Sequence, residues 1–264
     1  MLLLLKKQSK PRRHSECADH TIDYGSYPEV HAQQLDPRRF YADYVATYLQ
    51  RDLRQIAGVK NLQTFDRLMR LCATRCGQLL SYTSLASDVG VSVGTVKSWL
   101  SALEAGHLIR LLPPYYRNLG KRPVKSPKLY FCDTGLACFL AGIRSVNDLQ
   151  QSPLLGPMFE THVLHQITSH FANQALPTDV YFYRDHQGHE VDFVLPAGNK
   201  LILIECKTAS TPELPTGLRH FTKQLGQHAS VQQVIITPER SHRPLANSAV
   251  MIDNCIDLHT LQEA

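Results

Sequence analysis

The sequence has no phosphate-binding loop. Such a loop needs Gly, four residues, Gly-Lys and Ser/Thr, so that backbone amides can cradle phosphates. Here the Gly-Lys pair Gly120-Lys121 is followed by Arg122, and Tyr115 stands where the first glycine belongs. ATP hydrolysis by this chain alone is therefore not expected. Paired CxxC spacing is also missing. The 7 cysteines, at 17, 72, 76, 132, 138, 206 and 255, are odd in number and scattered. That excludes a zinc ribbon or a disulfide framework and fits a reducing cytoplasm. Cys72 and Cys76 read as small apolar core residues. No apolar run approaches the roughly 18 residues of a membrane span. Leu2 to Leu5 is short and its positive charges follow it, the reverse of a signal peptide. Between Glu104 and Asp133 there is no acidic residue.

What is present suffices for two domains: 264 residues, 43% of them hydrophobic, with a formal net charge of +5. This mild basicity permits an anionic partner without demanding one. Residues 1–36 read as an irregular arm, with Lys6, Lys7, Lys10, Arg12 and Arg13 around Pro11. Residues 37–145 read as a helical linker and a winged helix, the latter over roughly 60–132. Phe65, Leu68, Met69 and Cys72 recur at helical spacing. Ser81 opens a helix that Gly90 ends, and a second helix carries Val96, Trp99, Leu100 and Leu103. Helix, turn and helix, followed by strands at 108–112 and 128–132, make the winged helix.

The loop between those strands is basic: Arg110, Arg117, Lys121, Arg122, Lys125 and Lys128. Such a stripe suits phosphate contacts, although a solvated loop would have the same composition. The nucleic-acid contacts expected are Lys97, Lys121, Arg122 and Lys125. Thr95, Lys97 and Ser101 face outward on the second helix, where no Arg, Asn or Gln offers bidentate base readout. The expected binding to DNA is sequence-tolerant.

Asp133 is placed to cap the next helix, and 145–153 reads as a polar linker. Residues 153–264 form the second domain, in the order αβββαβ over 153–240, so the fold class is α/β (α+β). Its informative stretch is a strand at Glu190 to Leu195 followed by one at Leu201 to Cys206. Residues two apart on a strand share a face, so Glu205 and Lys207 project together and Asp192 meets them from the neighbouring strand. Charges among apolar strands are costly unless paired or metal-bound. Two carboxylates and a lysine at the end of a sheet can hold Mg²⁺ and a polarised water against a phosphodiester. His162 and His165 share a helix face but have no ligand partner at metal spacing, and read as solvated histidines.

Several motifs carry a resemblance. Gly156-x-x-Phe159-Glu160, Tyr183-Arg184-Asp185, Gly188-x-Glu190-Val191-Asp192 and Ile204-Glu205-Cys206-Lys207 resemble the PD-(D/E)XK nuclease-like domain at the C-terminus of a large prokaryotic family of AAA-type ATPases. Lys121-Arg122-x-x-Lys125-Ser126-Pro127-Lys128-Leu129-Tyr130-Phe131-x-Asp133-Thr134-Gly135-Leu136 is similar to the winged helix of that family, and Tyr48-Leu49-x-Arg51-Asp52-Leu53 to its linker. The resemblance covers roughly 24–240. In that family an ATPase module lies before this point, and the resemblance implies that this sequence corresponds to the part that follows it. The resemblance implies a catalytic set of Glu160, Asp192, Glu205 and Lys207, with Asp192 and Glu205 on Mg²⁺ (or Mn²⁺) and Lys207 on the attacking water. Two functions follow as expectations. One is a metal-dependent nuclease whose winged helix holds nucleic acid. The other is a non-catalytic DNA-binding or adaptor module that associates with a separate ATPase subunit.

Overall fold

The computed structural model describes residues 22, 24–47, 59, 61–116, 124–209, 213–226, 229–238, 243–244 and 249–252. Lys121 and Arg122, the motif at 48–53 and nearly all of 1–23 lie outside the described residues.

The first unit is built from capped helices. α1 (Pro28–Ala32) and α2 (Pro37–Tyr44) lead into α3 (Leu62–Thr74), whose buried stripe is Phe65, Leu68, Met69, Cys72 and Ala73. The arm expected over 1–36 is thus not irregular throughout. α1 forms within it, and Ile22 and Val30 are buried. Cys72 and Cys76 are both buried, and burial pushes their thiols up to about 12 and about 11. They are core residues.

α4 (Tyr82–Val89) starts on the Ser81 hydroxyl, which accepts from Ser84 N–H. It ends at Gly90, whose φ of 82° lies in the left-handed region that favours glycine. α5 (Val93–Ala105) follows, capped by Ser92. β1 (Ile109–Leu112) and β2 (Lys128–Phe131) then pair antiparallel, from Ile109 opposite Phe131 to Leu112 opposite Lys128. This is the winged-helix order. Asp133 caps α6 (Thr134–Ala141) as expected, accepting from Leu136 N–H at 2.7 Å. The same carboxylate accepts from Tyr41 Oη and Ser26 N–H, tying the first helices to this cap. The segment expected to be a linker carries a short helix, α7 (Val146–Gln150), because Ser145 caps it and Leu149 is fully buried.

The second unit begins with α8 (Leu155–Asn173). β3 (Tyr181–Arg184), β4 (Glu190–Ala197), β5 (Lys200–Cys206), α9 (Thr216–Leu225) and β6 (Ser230–Ile236) follow, then β7 (Arg243–Pro244) and β8 (Ala249–Ile252). The sheet order is β3-β4-β5-β6-β8-β7. β3, β4 and β5 form an antiparallel meander. β5 and β6 are parallel, joined through α9, since a parallel pair needs a crossover. The αβββαβ order is present, with two further strands beyond it.

Each face of the sheet has its own apolar layer. Phe193, Ile202, Ile204, Val234 and Ile236 pack in one core with Phe159, Val163 and Ile167 of α8. That core runs on into the winged helix through Leu129, Tyr130 and Phe131, so no break in packing divides the two units. On the other face, Val194, Leu201, Leu203 and Ile235 pack with Leu218, Phe221 and Leu225 of α9.

The wing is also tied to the sheet by backbone. Phe182 N–H donates to Pro113 O, Tyr115 N–H to Phe182 O and Val124 N–H to Arg184 O. The segment after β1 therefore lies along the outer edge of β3, satisfying groups that an edge strand would leave open.

Candidate functional site

The start of β4 and the end of β5 bring the charged residues together. Phe193 pairs with Ile204, so Asp192 and Glu205 stand one step beyond that pair on neighbouring strands. Glu160 arrives from α8, with Phe159 and Val163 buried beside it. Glu190 opens β4 and takes Arg184 across the β3–β4 ladder at 2.8 Å.

The centre of the group is a lysine. Lys128, the first residue of β2, has a side chain only 3% exposed. Its ammonium bonds the Glu190 carboxylate and lies 3.6 Å from Glu160 and 3.9 Å from Asp192. Tyr130, two residues on and thus on the same strand face, donates its hydroxyl to Glu160 at 2.8 Å. Burial pulls the Lys128 ammonium toward neutrality, but Glu160, Asp192 and Glu190 outweigh it and hold the group above the ordinary lysine value. Lys128 was counted in the basic stripe of the wing, though not among its expected contacts. The structure corrects this: it is buried because β2 packs against the sheet, and its charge is used inside.

Glu205 follows a different pattern. By strand period it shares the face of Leu201 and Leu203, the face that α9 covers. Its Oε1 accepts from Lys207 at 2.8 Å, and its Oε2 is buried without a hydrogen-bond partner. Asp192 is fixed by the backbone of the adjacent strand: Oδ2 accepts from Cys206 N–H at 2.8 Å. Burial, then the neighbouring carboxylates, raise Glu205 to about 8 and Glu160 to about 7, and burial raises Asp192. Four carboxylates thus meet the three cations Lys128, Arg184 and Lys207.

This arrangement tests whether a divalent ion fits. Asp192 Oδ1 faces Lys128, Oδ2 is held by a backbone N–H, and Glu160 is taken by Lys128 and Tyr130. Among the fully buried oxygens of this set, Glu205 Oε2 has no hydrogen-bond partner. An ammonium thus faces Glu160, Glu190 and Asp192, and a near-octahedral Mg²⁺ shell built on these carboxylates would require it to withdraw.

Beside it lies a cleft of about 450 Å³, lined by His189, Glu190, Glu205, Lys207, Gly217 and Arg219 among others. α9 closes against β4 here. A Cβ at Gly217 would stand 1.7 Å from Glu190 O, so only glycine allows this approach. On the far side of the cleft, Asp185, His189 and His220 form a compact group with donor atoms within 4.8 Å of one another.

The expected nucleic-acid residues are scattered by comparison. Lys97 is exposed on α5, its amine 5.5 Å from the Tyr82 ring, and Lys125 is exposed after the undescribed part of the wing. His162 is not solvated as expected. It is buried in α8, and burial depresses its ring to about 4, because the helix face that carries it turns toward the core. Sequence reasoning missed Lys128 and Tyr130 as site residues. The signal was a lysine leading an apolar strand, with Tyr130 at period two from it.

No helix among the described residues is long and apolar enough to cross a membrane. Comparison with known proteins gives two consecutive matches. Residues 18–147 match the model of a domain of unknown function, DUF8612, and residues 155–256 match another, DUF4143. The junction falls within a few residues of α7 and the start of α8. Uncharacterized proteins of Mycobacterium bovis and Mycobacterium tuberculosis are each 32% identical over 209 residues, which is 79% of this chain and 46% of theirs. The chain is thus similar, block by block, to two domain families of unknown function, and it spans less than half the length of these mycobacterial relatives.

Proposed function

We propose that this chain is a non-catalytic, nucleic-acid-binding adaptor module, the C-terminal part of an AAA-type ATPase family protein, that works with a separately supplied ATPase. The observation that carries this reading is Lys128. An ammonium from the winged helix stands among the carboxylates of the PD-(D/E)XK-like site, where a nuclease would hold its metal. It neutralises that site and fastens the two units to each other. Nucleic acid would then meet the exposed cations outside it, Lys97 and Lys125, together with Lys121 and Arg122. The expected contacts are to phosphate, so affinity falls steeply with salt. The test is binding and cleavage of duplex DNA, single-stranded DNA and RNA with and without Mg²⁺ or Mn²⁺. Salt-sensitive binding that needs no metal, with no cleavage above that of Glu205→Ala, is the expected result. Metal-dependent cleavage that Glu205→Ala abolishes overturns it.

One observation favours a second reading, a metal-dependent phosphodiesterase held closed. Glu205 Oε2 is buried and unpartnered, and crowding by Asp192 and Glu160 adds to burial in raising its carboxyl. A divalent ion would relieve that excess of negative charge if Lys128 withdrew. Under this reading Lys128→Ala gains Mg²⁺ or Mn²⁺ binding that depends on Asp192 and Glu205.

A further inference from the structure

The hairpin between β3 and β4 and the exposed side of α9 meet at a group that the preceding reading does not use. Asp185 is buried and opens the hairpin turn. Its Oδ1 accepts from Gln187 N–H at 2.9 Å and His189 N–H at 3.0 Å, which fixes the carboxylate. Its Oδ2 is thereby aimed at two imidazoles: His189 Nδ1 at 3.0 Å and His220 Nε2 at 3.2 Å. Burial alone would raise the Asp185 carboxyl, but its bonds from His189 and Gln187 prevail and hold it below the ordinary value, so it is ionised.

The two oxygen–nitrogen edges of this group match a tetrahedral metal, and all its donor atoms lie within 4.8 Å of one another. With Zn–N and Zn–O near 2.0–2.1 Å, donor atoms on one tetrahedron stand about 3.3–3.4 Å apart. The observed separations of 3.0 and 3.2 Å are within a few tenths of that edge. Mg²⁺ is a poor match, because it prefers oxygen ligands and keeps its waters, whereas imidazole suits zinc and its neighbours. Three protein ligands leave a fourth position. His189 also lines the cleft that holds Glu205, Lys207 and Arg219, so that position is reachable from solvent.

We propose that Asp185, His189 and His220 form a binding site for a zinc-class divalent cation, with one coordination position open toward the cleft. Two adjustments accompany loading. The imidazoles are stacked, 3.8 Å apart and 6° from parallel, so one ring must tilt to direct its lone pair at a shared ion. Both are partly exposed, which leaves room for that turn. Gln224 must also release His220. Its amide nitrogen stands 2.7 Å from His220 Nε2, while Tyr183 holds its amide oxygen. Gln224 therefore competes with the metal for the same nitrogen.

The test is calorimetric titration of the chelator-stripped full chain with Zn²⁺, Co²⁺ and Mg²⁺. Wild type is expected to take up Zn²⁺ and Co²⁺ at a site that His220→Gln and His189→Gln each weaken at least about tenfold, since even outer partners of metal ligands are worth that much. Glu205→Gln should leave this affinity unchanged, which separates the site from the carboxylates around Lys128. Gln224→Ala should tighten binding by removing the competitor. His220 is partly exposed and outside the apolar core of α9, so His220→Gln is expected to fold. A metal-free melting curve checks this, and Zn²⁺ should raise the melting temperature of wild type but not of this variant. Absent Zn²⁺ binding in wild type, or equal binding in wild type and both histidine variants, overturns the proposal.

Discussion

Lys125 and Lys128 are three residues apart and occupy opposite environments. Lys125 is exposed, whereas Lys128, at the start of β2, is enclosed by Glu160, Glu190 and Asp192. Lys97 on α5 belongs with Lys125. A lysine in water is a mobile charge whose removal leaves the fold almost untouched. A buried lysine is tied to every carboxylate around it, because each would be left uncompensated without it. The same residue type thus offers itself to a partner in one region and locks two units together in the other.

The largest effect that would break this contrast comes from Lys128→Met. It is expected to destabilise the chain by about 3–5 kcal/mol at neutral pH, the usual result of breaking a buried ion pair. Denaturant unfolding measures it. Adding Glu160→Gln should recover part of the loss, since one stranded charge disappears. A loss below about 1 kcal/mol would place Lys128 with the exposed lysines.

A smaller effect comes from pH. Glu160 and Glu205 sit at about 7 and about 8 in the folded protein, above the ordinary 4.5. The folded state therefore binds more protons than the unfolded chain between these values. Their contribution to stability is present below about pH 4.5 and is lost as pH rises to about 8. Melting temperature followed across that range should fall, and Glu205→Gln should flatten the slope.

Tyr130→Phe sharpens the comparison further. It removes the hydroxyl that donates to Glu160 while keeping the ring in the core. Loss of one hydrogen bond to a charged group is expected to cost about 1.5–3 kcal/mol at most. The loss should be least at low pH, where the Glu160 carboxyl is protonated.

The smallest effect on stability is at the exposed end. Lys97→Ala and Lys125→Ala should each shift unfolding by less than about 0.5 kcal/mol. Each should instead weaken nucleic-acid binding on all sequences alike and lower the salt slope by about one. A change in sequence preference, read from competition between duplexes, would show that one of them reaches bases.

Local chemistry made much of the fold legible. Ser81, Gly90, Ser92 and Asp133 punctuate the helices where caps and a left-handed glycine are found. Period-two alternation placed Glu205 beside Lys207, and their bond at 2.8 Å follows from it. Two misreadings share one cause. His162 and Lys128 are polar residues whose solvent or core placement depends on what another element brings to them. The arm at 1–36 and the segment at 145–153 misled for the related reason that short helices form against a core they cannot be seen to touch in sequence.

The sequence by itself determined the winged-helix and αβββαβ element order, the adjacency of Asp192 and Glu205, and the absence of a phosphate-binding loop. These rest on periodicity, capping and spacing, which act over a few residues. Tertiary structure decided that β2 docks on the sheet, that Lys128 faces Glu160, Glu190 and Asp192, and that His220 meets Asp185 and His189 across 35 positions of sequence. Charge pairing in a core acts through space. Its partners are set by which layers pack, and no local pattern records that.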